Sequence, residues 1–168
     1  MIKGANTAPG ESQTGSSEYA THYLLPGALF AHHQPHRVTT ILGTCVAVCL
    51  WDPVLRVGGI NHYLLSFWKG EGLASPKYGN IAIPKLIERL VLLGSNPRHL
   101  QAKLFGGKGY AENDQGIWMV GKRNVEIAEE MLRENQIPIV GASVGGPSGR
   151  KIVFNTYSGE VIMRPVKM

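Results

Sequence analysis

Thr39-Thr40-Ile41-Leu42-Gly43-Thr44-Cys45-Val46-Ala47-Val48-Cys49-Leu50-Trp51-Asp52-Pro53, with its return limb Gly58-Gly59-Ile60-Asn61-His62-Tyr63-Leu64-Leu65, is the stretch on which the fold turns. Two apolar runs flank Asp52-Pro53, and proline fixes φ and cannot continue a central strand, so the runs read as the limbs of a β-hairpin. A cysteine stands just after a glycine turn at the head of the first limb. A histidine follows 17 residues later in the second. If Trp51 faces Arg56 across an Asp52–Leu55 loop, paired positions sum to 107, and Cys45 then lies directly opposite His62 on one face. Directly paired residues have Cβ atoms about 5 Å apart, a separation at which a thiol and an imidazole exchange a proton.

Composition narrows the function classes. A chain of 168 residues with 43% hydrophobic and 17% charged residues is expected to form one soluble globular domain. The 21 glycines predict many turns and close backbone approaches. The net charge of +5 is spread over scattered Lys and Arg, with no basic run or aromatic ladder. That pattern argues against nucleic acid and for an acidic protein partner. Cys45 and Cys49 share a strand face but are too far apart to pair, so a disulfide framework is not expected and a reducing compartment is. No stretch reaches the roughly 18 apolar residues of a membrane helix. The first residues lack the apolar core of a signal peptide, and a cytoplasmic protein is expected. Residues 1–20, rich in Gly, Ser and Thr, read as a mobile tail, and residues 21–168 as the single domain.

Within that domain, Tyr23 to Ala31 reads as a strand interrupted at Pro26-Gly27. His32-His33-Gln34-Pro35-His36 holds three histidines but no nearby thiol or carboxylate, and it reads as a solvated loop rather than a metal site. Arg37 to Leu42 is a strand. After the hairpin, Ser66 to Lys77 is a loop whose Phe67 and Trp68 either wall a substrate or cap the core. Asn80 is placed to cap a helix reaching about Leu93, with Ile83, Leu86, Ile87 and Leu90 on its buried face. Leu100 to Phe105 is a strand running into Gly106-Gly107-Lys108-Gly109, a structural turn rather than a phosphate loop. Asn124 to Glu134 is a second helix, with Val125, Ala128, Met131 and Leu132 inward. Ile137 to Val144, Lys151 to Thr156 and Val161 to Pro165 are further strands. The fold class is α+β: a sandwich of mostly antiparallel sheets flanked by two main helices.

A cysteine nucleophile needs a base, an oriented imidazole and donors for the developing oxyanion. His62 supplies the base. Thr39 or Thr40, on the preceding strand, supplies a hydroxyl for the other ring nitrogen. The backbone N–H groups of Thr44 and Cys45, freed by the glycine turn, supply an oxyanion hole. The competing reading makes Cys45 a small buried hydrophobe and His62 a satisfied core histidine. Cys49 reads as core packing.

The run LGTCVAVCLWDP followed by GGINHYLL resembles the chemoreceptor glutamine deamidase family (CheD), whose pattern is a threonine, Leu-Gly-Ser-Cys-Val-Ala-Val and Gly-Gly-x-x-His. The likeness extends to a tyrosine-led helix at Tyr78, Phe-Gly-Gly at Phe105 to Gly107, Gly-x-Arg-Asn-Val at Gly121 to Val125, and Gly-Gly-x-x-Gly-Arg at Gly145 to Arg150. It covers the chain from about Leu25 onward. The resemblance implies a triad of Cys45, His62 and Thr39, the threonine six residues before the cysteine. It implies hydrolysis of receptor glutamine side chains to glutamate, with no metal or organic cofactor. It also implies a sandwich fold shared with toxin-type cysteine deamidases. Its implied partners are methyl-accepting chemotaxis receptors and, in some members, a CheC-type phosphatase; no membrane insertion is implied. Thr44, Ser66, Lys108 and Ser143 depart from the family pattern at positions that bear on partner and substrate preference. A non-catalytic module docking on receptors or on the phosphatase is the alternative. A thiol redox sensor would need a resolving cysteine, and Cys49 is poorly placed for that.

Overall fold

The computed structural model describes residues 19–109 and 116–168. The expected tail lies outside them except for its last two positions, and Ala20 already opens the first strand. Among the described residues there are nine strands and two α-helices. In chain order these are β1 (Ala20–Tyr23), β2 (Leu29–His32), β3 (His36–Leu42), β4 (Val46–Asp52), β5 (Val57–Asn61), α1 (Gly79–Leu92), β6 (Gln101–Gly106), α2 (Ile117–Glu134), β7 (Ile139–Val144), β8 (Gly149–Asn155) and β9 (Val161–Val166). They form a four-stranded sheet in the order β1-β3-β8-β9 and a five-stranded sheet in the order β2-β5-β4-β6-β7. Only β1/β3 and β6/β7 pair in parallel, so the expected mostly antiparallel α+β sandwich is what forms. No helix among the described residues is long and apolar enough to cross a membrane.

The layering follows from which faces are apolar. β4 is buried almost throughout, because one face meets the helices and the other meets the second sheet. Val46, Val48 and Leu50 pack with Tyr63 under Ile83, Leu86 and Leu90 of α1 and Ala128 and Leu132 of α2. Ala47, Cys49 and Ile60 point the other way, onto Val38 and Leu42 of β3 and Ile152 and Phe154 of β8. Each fully buried side chain of this size contributes about 1.5–3 kcal/mol. Both helices lie on the five-stranded sheet.

Several boundaries differ from expectation for local reasons. Pro26-Gly27 does more than interrupt one strand. Gly27 takes φ +82°, and the chain crosses from the four-stranded sheet to the five-stranded one, so β1 and β2 are separate strands in separate sheets. Asn80 does not cap α1. The cap position is Tyr78, and the Asn80 amide instead exchanges hydrogen bonds with the Trp68 backbone, bracing the loop after β5. α2 begins seven residues before Asn124.

The hairpin forms, but in another register. Cys49 pairs with Ile60 and Asp52 with Val57, so paired positions sum to 109 rather than 107. The cause is the turn. The Asp52 carboxylate accepts hydrogen bonds from the Val54 and Leu55 N–H groups, and Arg56, at φ +55°, donates its N–H to the Asp52 carbonyl. The loop is therefore Pro53–Arg56, one residue further along than expected. A shift of two preserves which side chains share a face. Cys45 and His62 are diagonal rather than opposed, and both remain on the side facing the four-stranded sheet.

Gly106, at φ +107°, has no room for a side chain. A Cβ there would overlap the Cys45 carbonyl oxygen. Gly145 has a similar backbone, at φ +73°, but open space around it. Gly145→Ala should therefore cost only the left-handed backbone penalty, about 1–2 kcal/mol. Gly106→Ala adds a steric clash and should cost more than about 3 kcal/mol. Denaturant unfolding of the two variants side by side checks this, and equal losses would mean the approach to Cys45 is not tight.

Candidate active site

His62 follows directly on β5 and is 1% exposed. Its main chain is held on the side away from β4: its N–H donates to the Ala28 carbonyl, and its carbonyl accepts from the Gly27 N–H at 2.7 Å. The Pro26-Gly27 crossover thus fixes the histidine's backbone. The ring reaches across to the other sheet, where Nδ1 lies 2.7 Å from Thr40 Oγ1. The Thr40 hydroxyl donates its proton to the Leu24 carbonyl at 2.9 Å. A hydroxyl has one proton to give, so toward His62 it can only accept. Nδ1 therefore carries the ring hydrogen, and Nε2 keeps its lone pair. Nε2 is buried and meets no hydrogen-bond partner among the described residues.

Thr40, not Thr39, is the hydroxyl on His62. Side chains alternate along a strand, and in β3 Val38, Thr40 and Leu42 are the buried set. Thr39 is half-buried on the opposite face, where its carbonyl accepts from the Leu24 N–H. The spacing that selected Thr39 carried no information about which face it occupies.

Cys45 stands half-buried just before β4. Its carbonyl accepts from the Gly107 N–H and the Gly43 carbonyl from the Lys108 N–H, each at 2.9 Å. The Phe-Gly-Gly turn is thus a cradle for the cysteine loop. Arg150 braces that turn in its own right, donating to the Gly106 and Gly145 carbonyls and to the Ser143 hydroxyl. On the helix side, Asn124 of α2 donates from Nδ2 to the Thr44 carbonyl at 3.0 Å and to the Leu64 carbonyl at 2.9 Å. Neither the Thr44 nor the Cys45 N–H makes a main-chain hydrogen bond among the described residues.

Burial dominates the electrostatics. It pushes His62 down to about 4 from the usual histidine value of 6.5. It also raises the Cys45 thiol, against a hydrogen bond from the residue's own N–H. Both shifts favour the neutral form of each group. Cys49 is buried between the sheets, and its thiol is pushed well up.

The remaining candidates fall elsewhere. At the β2–β3 connection His32 stacks on His33 and on Phe30, while the His36 ring meets Phe30 edge-on and lies tilted against His32. No group of three His, Cys, Asp or Glu among the described residues is disposed to hold a metal ion. Phe67 is 54% exposed, while the Trp68 indole N–H is bonded to the Glu71 carbonyl. Two asparagines escaped notice in the sequence. Asn61 replaces a main-chain partner by accepting from the Val48 N–H, and Asn124 clamps the cysteine loop. Asparagine inside an otherwise apolar strand was the available signal for Asn61.

Comparison with known proteins bears on the family of the chain. The family model described as CheD chemotactic sensory transduction matches residues 66–165, beginning just beyond His62. A protein of Trichlorobacter lovleyi named "Probable chemoreceptor glutamine deamidase CheD" is 42% identical over 90% of this chain and 94% of its own. A protein of the same name in Sulfurimonas denitrificans is 46% identical over 89% and 97%. "Probable chemoreceptor glutamine deamidase CheD 1" of Anaeromyxobacter dehalogenans is 39% identical over 95% and 92%. The crystal structure of Bacillus licheniformis hypothetical protein YfiH overlaps 67% of this chain and 50% of its own, at 20% identity and a TM-score of 0.43, too loosely to bear on function. With the family model matched over more than half its length and relatives aligned nearly end to end, this chain belongs to the CheD family.

Proposed function

We propose that this chain is a protein-glutamine deamidase of chemotaxis that converts receptor glutamine side chains to glutamate, with Cys45 as nucleophile, His62 as general base and Thr40 orienting the imidazole. The observation that carries the reading is the hydrogen-bond chain from the Leu24 carbonyl through Thr40 to His62 Nδ1, which leaves Nε2 as an unprotonated base on the Cys45 side of the sheet. The names of the relatives support the substrate class.

The chemistry follows from the neutral pair. Nε2 takes the thiol proton as sulfur attacks the glutamine carboxamide carbon, so thiolate forms only during the step. The negative charge that develops on the amide oxygen is met by the Cys45 N–H, with the Thr44 N–H as second donor. The imidazolium returns its proton to the nitrogen, ammonia leaves, and a thioester remains. Nε2 then deprotonates a water that attacks the thioester carbon, and the proton returns to the sulfur. The net change is amide plus water to acid plus ammonia, and no cofactor enters the balance.

Incubating receptor cytoplasmic fragments with the protein should raise the mass of a glutamine-containing peptide by about one unit, the change from amide to acid. Cys45→Ala should abolish the gain, and an active Cys45→Ala protein would sink the nucleophile. A binding module would instead show affinity for the fragments without ammonia release.

The two threonines separate cleanly. Thr40→Val keeps the shape and removes the acceptor for Nδ1, and kcat should fall about 10- to 100-fold, the scale of a misplaced catalytic group. Thr39→Val should leave kcat within about threefold. The reverse pattern would return the role to Thr39.

The pH profile follows from burial. His62 must be unprotonated to act, and its value is held near 4. kcat/KM should therefore rise with pH through about 4 and stay level across the neutral range. An acid limb near the usual histidine value of 6.5 would contradict the buried neutral base.

A further inference from the structure

The Gly-x-Arg-Asn-Val motif of α2 is not used by the chemistry above, yet its asparagine touches both limbs that carry it. Asn124 is fully buried. Its Nδ2 bridges the Thr44 carbonyl, one residue before the nucleophile, and the Leu64 carbonyl, two residues after the base. Both partners are acceptors, so the amide orientation is fixed by the contacts themselves. Its Oδ1 is buried without a partner among the described residues. A buried oxygen left bare costs stability. What the side chain supplies lies in the two carbonyls that Nδ2 holds.

The Thr44 carbonyl and the Cys45 N–H belong to one planar trans peptide, in which C=O and N–H point in opposite directions. Drawing the carbonyl toward α2 turns the N–H away from the helix. Gly121, one helical turn before Asn124, lets the helix come this close, since a Cβ there would overlap the Lys108 carbonyl.

We infer that Asn124 is a positioning residue that orients the Thr44–Cys45 peptide, presenting the Cys45 N–H to the developing oxyanion and tying that peptide to the His62 limb. This rests on the deamidase reading above. Removing an oxyanion donor outright costs about 10²–10³ in kcat, and misorienting one costs a part of that.

The test uses the full chain and three readouts: deamidation of a receptor fragment, alkylation of Cys45 by iodoacetamide across pH, and thermal unfolding. Alkylation forms a carbon–sulfur bond with loss of iodide and generates no oxyanion, so it reports the thiol alone. Asn124→Ala should lower kcat roughly 10- to 100-fold with KM and the alkylation profile within about threefold of the parent. Asn124→Asp, which keeps the shape without the donors, should behave alike and serves if the alanine variant does not fold. Tyr63→Phe is the packing control. It removes a neighbouring buried hydrogen bond, from the Tyr63 hydroxyl to the Asn124 carbonyl, without touching the Thr44 peptide. Its kcat should stay within about threefold.

Parent-like kcat in the folded Asn124 variants overturns the inference. So does a joint loss of kcat and alkylation, or a Tyr63→Phe protein as impaired as Asn124→Ala. A parent protein that alters no fragment overturns the deamidase reading itself, and the inference falls with it.

Discussion

One buried hydrogen bond, between Thr40 Oγ1 and His62 Nδ1, sets the terms for everything around it. It joins the two sheets through polar atoms inside an otherwise apolar interface, where an unmet partner is costly. The arrangement is stable because every proton in the chain has a destination: the hydroxyl to the Leu24 carbonyl, the ring N–H to the hydroxyl. The crossover from Leu24 to Ala28 must therefore hold both ends. It supplies the acceptor for Thr40 and, through Ala28 and Gly27, the anchors of the His62 backbone. A β-sandwich with an ordinary connection at this place would leave the imidazole free to flip and to change tautomer.

Around the cysteine the constraint is steric as much as polar. Three separate segments converge on residues 43–45: the Phe-Gly-Gly turn through its N–H groups, α2 through Asn124, and the Gly-Gly-Pro-Ser-Gly-Arg loop indirectly through Arg150 and Gly106. Each contact is to a backbone carbonyl. The side chains of Thr44 and Cys45 are thereby left out of the bracing, and the N–H groups remain available. A thiol raised by burial and an imidazole lowered by it make a resting site with little net charge. On the deamidase reading, such a site would gain its reactivity from geometry during the reaction rather than from a standing thiolate.

Much of this was legible in the residues. The two apolar runs with Asp52-Pro53 between them gave the hairpin, and the even shift in register left Cys45 and His62 on the same face. The register itself was not legible, because it hung on the Asp52 side chain capturing two N–H groups in the turn. The choice between Thr39 and Thr40 could have been made from the strand period, since Val38 and Leu42 flank Thr40 at steps of two. The exposed Ile41 blurred that alternation. Asn80 illustrates a tertiary override: a good capping residue was taken up by a loop, and a tyrosine stood at the cap instead. Asn124 stood inside the Gly-x-Arg-Asn-Val likeness, but its partners, 80 and 60 residues away, were not legible there.

The pairing of β3 with β8 has a temporal side. Thr40 lies against Ile152, and Leu42 against Arg150, so the sheet that carries Thr40 is completed by residues made about 110 positions after it. At a synthesis rate of roughly 5–20 residues per second, the growing chain carries its cysteine for about 5–20 s before that strand exists. Contacts this distant in sequence also close slowly, on the millisecond-to-second scale. Through that interval Cys45 is an ordinary thiol on an unfinished polypeptide. On the deamidase reading, Thr40 cannot hold His62 in place until the second sheet has closed, so activity would arrive only once β8 has been made.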